Sequence, residues 1–337
     1  MKLSRLFTCA VSSLLIPVGA SAAVPKVVAD IAPIQSLVSQ VMTGVGSPEL
    51  LVQSGASPHT YSLSPSEAES LQQADVVFWV GEPLTPWLEG SLENLSGDAD
   101  VVELLEVPGT TTYAFRKGAT FESHEHHGEH EGEEHHNDEQ HDDEHNGEAH
   151  HDTAGEEHHH HHDGLDPHAW LDPVNGKVWL DAIAGALSQE DPEHAAVYAR
   201  NAEAGKKKID AVMADVQATI DELGAQQFIV FHDAYQYFEK RFGIAAAGAI
   251  SIGDASKPSP ARIDEIRGLV SDLKVSCVFT EPQYNPGIVR SVFGDTGVNT
   301  SAVIDPLGSD LTVGADLYPE LLTSIAGSLR SCFGGGA

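Results

Sequence analysis

Asp75-Val76-Val77-Phe78-Trp79-Val80 runs without polar alternation after its first residue. Half-exposed strands alternate apolar and polar side chains, so an unbroken run of this length reads as a strand buried on both faces, the kind found in parallel sheets. Its surroundings agree. Upstream, Ser64-Pro65-Ser66-Glu67 places a capping hydroxyl and an early proline before a helix reaching about residue 73. Before that come a short strand at 49–52, a helix at 34–42 ending at Gly44, and a strand at 24–31. Downstream, a helix near 86–95 leads to a strand over 99–104. This alternation predicts a doubly wound α/β lobe.

The second half repeats the pattern, with strands expected at 227–231, 244–250, 275–280 and 298–303, and helices at 234–242, 259–273, 286–293 and 316–329. Between the halves lie a helix at 174–187 and a second helical stretch, capped by Asp191 with Pro192 at its first position and ended by Leu223-Gly224. The expected fold is therefore α/β, two doubly wound lobes joined by a long rigid helix. The N-terminal lobe spans 23–172, the linking region 173–224 and the C-terminal lobe 225–337. Ligands of such sheets sit beyond the carboxyl ends of the strands, here in the cleft between lobes. No G-x-G-x-x-G follows a strand and no G-x-x-x-x-G-K-[ST] occurs, which excludes the dinucleotide and P-loop readings.

Lys2 and Arg5 precede an apolar stretch to Val18, and Ala20-Ser21-Ala22 supplies small residues, so 1–22 reads as a secretory signal cleaved after about Ala22. The mature protein is expected to be exported, soluble and periplasmic. Its two remaining cysteines, Cys277 and Cys332, read as one disulfide in an oxidising compartment. The formal net charge is −33. Such a chain repels nucleic acid and anionic membrane, and its natural small partners are cations.

Nearly half of that charge lies in one place. Residues 121–163 hold sixteen Asp plus Glu, no Lys or Arg, and fifteen of the nineteen histidines. These are His124, His126, His127, His130, His135, His136, His141, His145, His150, His151, His158, His159, His160, His161 and His162. Imidazole and carboxylate are the commonest side-chain ligands of borderline divalent metals. The run has no apolar periodicity and is read as a disordered loop that binds metal weakly. A plain acidic linker has no reason to be one-third histidine.

Of the four histidines elsewhere, three occupy equivalent places at strand ends or turns. His59 stands in Ala56-Ser57-Pro58-His59-Thr60-Tyr61, His168 in Asp166-Pro167-His168-Ala169-Trp170, and His232 in Phe231-His232-Asp233-Ala234-Tyr235. His194, on a helix among Glu193 and Ala195, reads as a solvated surface residue. Asp305, in Ile304-Asp305-Pro306-Leu307-Gly308, is a fourth candidate: three imidazoles with one carboxylate or water make an ordinary tetrahedral zinc site. Asp166, Asp233 and Glu281 are candidates to accept the second ring N–H of the ligating imidazoles, and Tyr61 and Trp170 could wall the site.

On these motifs, with Thr280-Glu281-Pro282-Gln283 and Asp305-Pro306-Leu307-Gly308, the chain resembles the ZnuA-type zinc-binding receptors of bacterial ABC importers, within the cluster of metal-binding solute receptors. The resemblance covers essentially the whole mature chain. It implies zinc as the transported ion and His59, His168 and His232 as ligands, with Asp305 or a water completing the shell. It further implies a permease in the cytoplasmic membrane as partner, a histidine-rich insert, and a C-lobe disulfide matching Cys277 and Cys332. Manganese and iron members tend to carry a carboxylate where this chain has His232, and imidazoles favour zinc. The expected protein is a monomeric receptor and not an enzyme. A zinc hydrolase is the alternative from another class: three imidazoles and a water also describe a catalytic site, with Glu281 as the one candidate base, although no HExxH is present. A manganese or iron receptor, or a zinc buffer of the same fold, are the others.

Overall fold

The run at 75–80 forms strand β3 (Val76–Trp79), with all four residues buried. It lies between β1 (Val27–Ala29) and β4 (Asp100–Glu103), and β2 (Glu49–Leu50) adds to the far side of β1, giving the order β2-β1-β3-β4 with every pair parallel. The register pairs Val27 with Val76 and Val76 with Asp100. Burial on both faces explains why β3 is apolar throughout, whereas edge strand β4 has no fully buried residue. The computed structural model describes residues 24–116, 121, 164–251 and 258–334. The expected signal at 1–22 and the fifteen histidines of the run lie outside the described residues.

The crossovers of the first lobe are α1 (Ala32–Val41), α2 (Pro65–Gln73) and α3 (Pro86–Leu95). Ser64 and Glu67 complete a reciprocal capping box on α2: the Glu67 carboxylate accepts the Ser64 N–H at 2.7 Å, and the Ser64 hydroxyl accepts the Glu67 N–H at 3.4 Å.

The second sheet contains β5 (Phe228–His232), β6 (Gly248–Ser251) and β7 (Cys277–Val278), parallel in the order β6-β5-β7, with α6 (Gln236–Phe242), α7 (Pro260–Asp272) and α8 (Gly287–Phe293) around it. The strand expected at 298–303 is reduced to two single-residue parallel bridges, Cys277 with Asn299 and Thr280 with Val303. Asn299 explains the shortening: its side-chain oxygen accepts the Ser301 N–H at 3.0 Å and its hydroxyl at 2.8 Å, a local turn that competes with the ladder.

Between the sheets run α4 (Pro173–Glu190) and α5 (Ala195–Leu223). At 29 residues, α5 is about 43 Å long. It does not begin at Pro192 behind an Asp191 cap as expected, but three residues later, at Ala195. The Asp191 carboxylate accepts from the Tyr198 hydroxyl at 2.8 Å and meets His194 Nδ1 at 2.7 Å, while residues 192–194 form a turn ahead of the helix. His194 is thus partly covered and hydrogen-bonded, not simply solvated. Asn201 donates to the Val41 and Thr43 carbonyls of the first lobe, and Gln217 to the Phe242 carbonyl of the second, so α5 grips both.

The last helix, α9 (Leu317–Gly334), returns from the second lobe to lie against α1 and α5. The Tyr318 N–H donates to the Ser36 hydroxyl at 2.9 Å, and the Tyr318 hydroxyl to the Trp170 carbonyl at 2.7 Å. One buried cluster consequently extends from Val27 through Trp179 and Ile209 to Phe228 and Leu329, across both lobes. A disulfide joins Cys277 on β7 to Cys332 on α9, with Cα atoms 6.3 Å apart.

Candidate metal centre

His232 is the final residue of β5. His59 sits in a 3-10 turn (Pro58–Thr60) beyond β2, and His168 directly precedes a second 3-10 turn (Ala169–Leu171) that leads into α4. Their donor atoms fall within 4.8 Å of one another. Ring centroids are 5.2 Å apart for His168 and His232, 5.5 Å for His59 and His168, and 6.1 Å for His59 and His232.

Each position is fixed by its neighbours. Trp87 on α3 donates its indole N–H to the Pro58 carbonyl at 2.6 Å, while Tyr61 and Gln53, either side of His59, donate to Glu67 at 2.8 and 3.2 Å. Tyr61 therefore braces the turn and does not line the site. Asp166 accepts both the His168 N–H at 3.0 Å and its ring Nδ1 at 2.8 Å. Glu281, just past β7, accepts the His232 N–H at 3.2 Å and stands 2.5 Å from its Nδ1. The carboxylate that a hydrolytic reading would use as a base is thus occupied in holding an imidazole. His59 bonds to the Leu84 backbone.

The Asp166 carboxylate on His168 Nδ1 fixes the proton there and leaves a lone pair on Nε2. The Nε2 atoms of His168 and His232 face each other at 3.3 Å. A cation at this point would be held by both nitrogens. Two nitrogens in a tetrahedral zinc shell with bonds of about 2.0–2.1 Å stand about 3.3 Å apart. Burial, then the two neighbouring imidazoles, holds the His59 pKa well below the ordinary 6.5. The space between the rings is about 10 Å³, room for one water-sized sphere. Trp170, Tyr284 and Leu307 line it.

Two candidates stand elsewhere. Asp305 does not join the imidazoles: its carboxylate accepts the Leu307 N–H at 2.9 Å, the Ser309 N–H at 2.5 Å and the Gln283 amide at 2.9 Å, which uses it to close the turn after Asp305. Asp233 does not meet an imidazole in any contact described, and instead pairs with Arg116. Tyr284, stacked on Phe231 with its ring 5.4 Å from that of His232, is at the site although the sequence did not single it out. It directly follows the Thr280-Glu281-Pro282-Gln283 motif, whose Gln283 donates to Asp305, and that adjacency was its signal.

Two parallel lobes joined by one long helix, with a buried imidazole cluster, define a two-lobed solute-binding receptor of the metal-binding kind. The fold matches that of the periplasmic zinc-binding protein TroA from Treponema pallidum (TM-score 0.68, 19% identity, 92% of this chain and 99% of that one). The chain belongs to the ZnuA family, "Zinc-uptake complex component A periplasmic", whose model matches residues 27–332. It is 45% identical over 306 residues to the high-affinity zinc uptake system protein ZnuA of Brucella abortus, covering 91% of each chain. Its identity to the protein of that name from Paracoccus denitrificans is 43% over 315 residues, with 94% of each covered.

Proposed function

We propose that this chain captures Zn2+ outside the cytoplasmic membrane and passes it to an ABC permease, with His59, His168 and His232 as the protein's donors to the ion. The observation that carries the reading is the convergence of the His168 and His232 Nε2 atoms at 3.3 Å, with a carboxylate beside the far nitrogen of each ring. Three neutral donors suit zinc, while manganese and iron draw more carboxylate. The relatives named above, called high-affinity zinc uptake proteins, support the same ion. With Asp305 committed to its own turn, a water takes the fourth position.

The signal at 1–22 would export the chain to the periplasm, where it acts as a monomeric receptor without catalysis. No helix among the described residues is long and apolar enough to cross a membrane. The lobes are 23–172 and 225–337, with 173–224 connecting them, and the long helix restricts closure to small adjustments. The histidine-rich run serves as a low-affinity collector. Calorimetric titration of the metal-stripped protein tests this: one tight zinc site is expected, retained when 122–163 are deleted and lost on His168→Ala. A tight site that disappears with the deleted segment would overturn the assignment.

A further inference from the structure

We infer that Arg116 is a positioning residue of the metal centre, acting through Asp233 and Glu239 on the turn that carries His232. The inference rests on the three-imidazole reading above. Arg116 leaves the first lobe ahead of the histidine-rich run, yet its guanidinium is lodged in the second lobe, its side chain 16% exposed. Its Nε donates to both Asp233 oxygens at 3.0 Å, its Nη1 to Glu239 at 2.6 Å, and its Nη2 to Glu239 at 3.1 Å and also to Asp233. Both carboxylate side chains are almost wholly buried. Asp233 directly follows His232, and Glu239 lies in α6, so one planar cation ties the ligand's turn to the helix behind it. Only a guanidinium offers enough donors in a fixed fork to hold two carboxylates at once.

The other side of Arg116 is equally fixed. Its guanidinium carbon lies 3.5 Å over the Phe121 ring, and the Phe121 N–H donates to the Ala247 carbonyl at 3.0 Å. Two residues before Arg116, Ala114 forms an antiparallel bridge with Leu165, and Asp166, the partner of His168, comes next. Gln236 closes the arrangement, donating to the Ala114 carbonyl at 3.1 Å and to Asp166 at 3.0 Å. Arg116 thus stands where the ribbon leading to His168 meets the turn leading from His232. Arg262, whose charge also reaches Asp233, is committed to the Ala249 carbonyl. Without Arg116, two buried carboxylates lose their counter-ion and the His232 turn can shift relative to His168. A coordination site tolerates about 0.5 Å of such movement.

The test uses the full chain. Arg116→Gln is expected to weaken zinc binding about ten- to a hundredfold in a chelator competition, the usual scale for groups behind a metal ligand. It should also change the visible absorption of the Co2+-substituted protein, at a temperature where circular dichroism shows it folded. Arg116→Lys should recover only part of the affinity. In an Asp233→Asn/Glu239→Gln background, adding Arg116→Gln should cost nothing further. If Arg116→Gln does not fold, the Co2+ spectrum of Arg116→Lys decides in the same way. A lowered melting temperature with unchanged affinity and Co2+ spectrum would overturn the inference. His168→Ala separates the two levels: if it spares the tight site, the centre itself is misplaced; if it abolishes the site while the Arg116 variants bind normally, only the role of Arg116 falls.

Discussion

At the scale of single residues, the protonation of His59 decides how the metal-free protein responds to acid. Its folded pKa is lowered from 6.5, by burial first and by the neighbouring imidazoles second. The unfolded chain therefore takes up a proton that the folded one resists, and the stability His59 contributes, present above pH 6.5, is lost as pH falls towards the folded pKa. Urea midpoints of the metal-free protein at pH 7.5 and 5.5 check this. The wild type should lose more stability over that interval than His59→Gln, and equal losses would contradict the assignment. The three imidazoles were legible in the sequence because each terminates a strand or turn, and the position of such residues follows from strand–helix alternation. Asp305 looked equivalent on the same grounds. What separates it is a set of backbone N–H groups from residues 307 and 309 that only the folded turn presents to it. Arg116 gave no signal at all, because its partners lie 117 and 123 residues away.

At the scale of elements, the two exposed and buried faces of α4 predict opposite outcomes for the same substitution. Gly176 faces α9, and a Cβ there would lie 2.5 Å from the Tyr318 hydroxyl, which is fixed by its bond to the Trp170 carbonyl while the Tyr318 backbone N–H is held by Ser36. Gly185 has no atom within 4 Å of that position and is exposed. Alanine in an open helix position is favoured over glycine by about 1 kcal/mol, whereas overpacking costs about 1–3 kcal/mol. Gly185→Ala should therefore raise the denaturation midpoint, and Gly176→Ala should lower it despite the better helix propensity. Helix α3, with its proline start, matched its expected bounds, whereas α4 starts at Pro173 and runs on to Glu190, past the 187 expected. Helix α5 did not match its expected start, because Asp191 has a competing partner in Tyr198 seven residues on. Strand ends were the least readable, since the strand expected at 298–303 is reduced to two bridges by a side-chain turn at Asn299 rather than by any break in hydrophobicity.

At the scale of the whole molecule, the two sheets share one core, and each keeps a smaller core of its own on its other face. The cluster that includes Val27 and Phe78 of the first also includes Phe228 and Phe279 of the second, joined through α4, α5 and α9. Calorimetry of the metal-free protein should accordingly show one cooperative transition, and two resolved transitions would mean that the lobes unfold independently. Zinc bound to the folded state alone should move that transition upward with concentration. The lobe-level alternation was plain in the sequence, but the return of α9 to α1 was not, because amphipathic periodicity shows that a helix has a buried face and not which partner covers it. That return has a bearing on biosynthesis. Leu321, Leu322, Ile325 and Leu329 complete the core that α1 and α5 begin, yet they are translated almost three hundred residues after α1. A nascent chain halted before residue 317 would hold a sheet whose covering layer is unfinished, with apolar surface exposed to chaperones. The covering layer of the first sheet is therefore complete only once the last helix, the final element to be made, has packed against it.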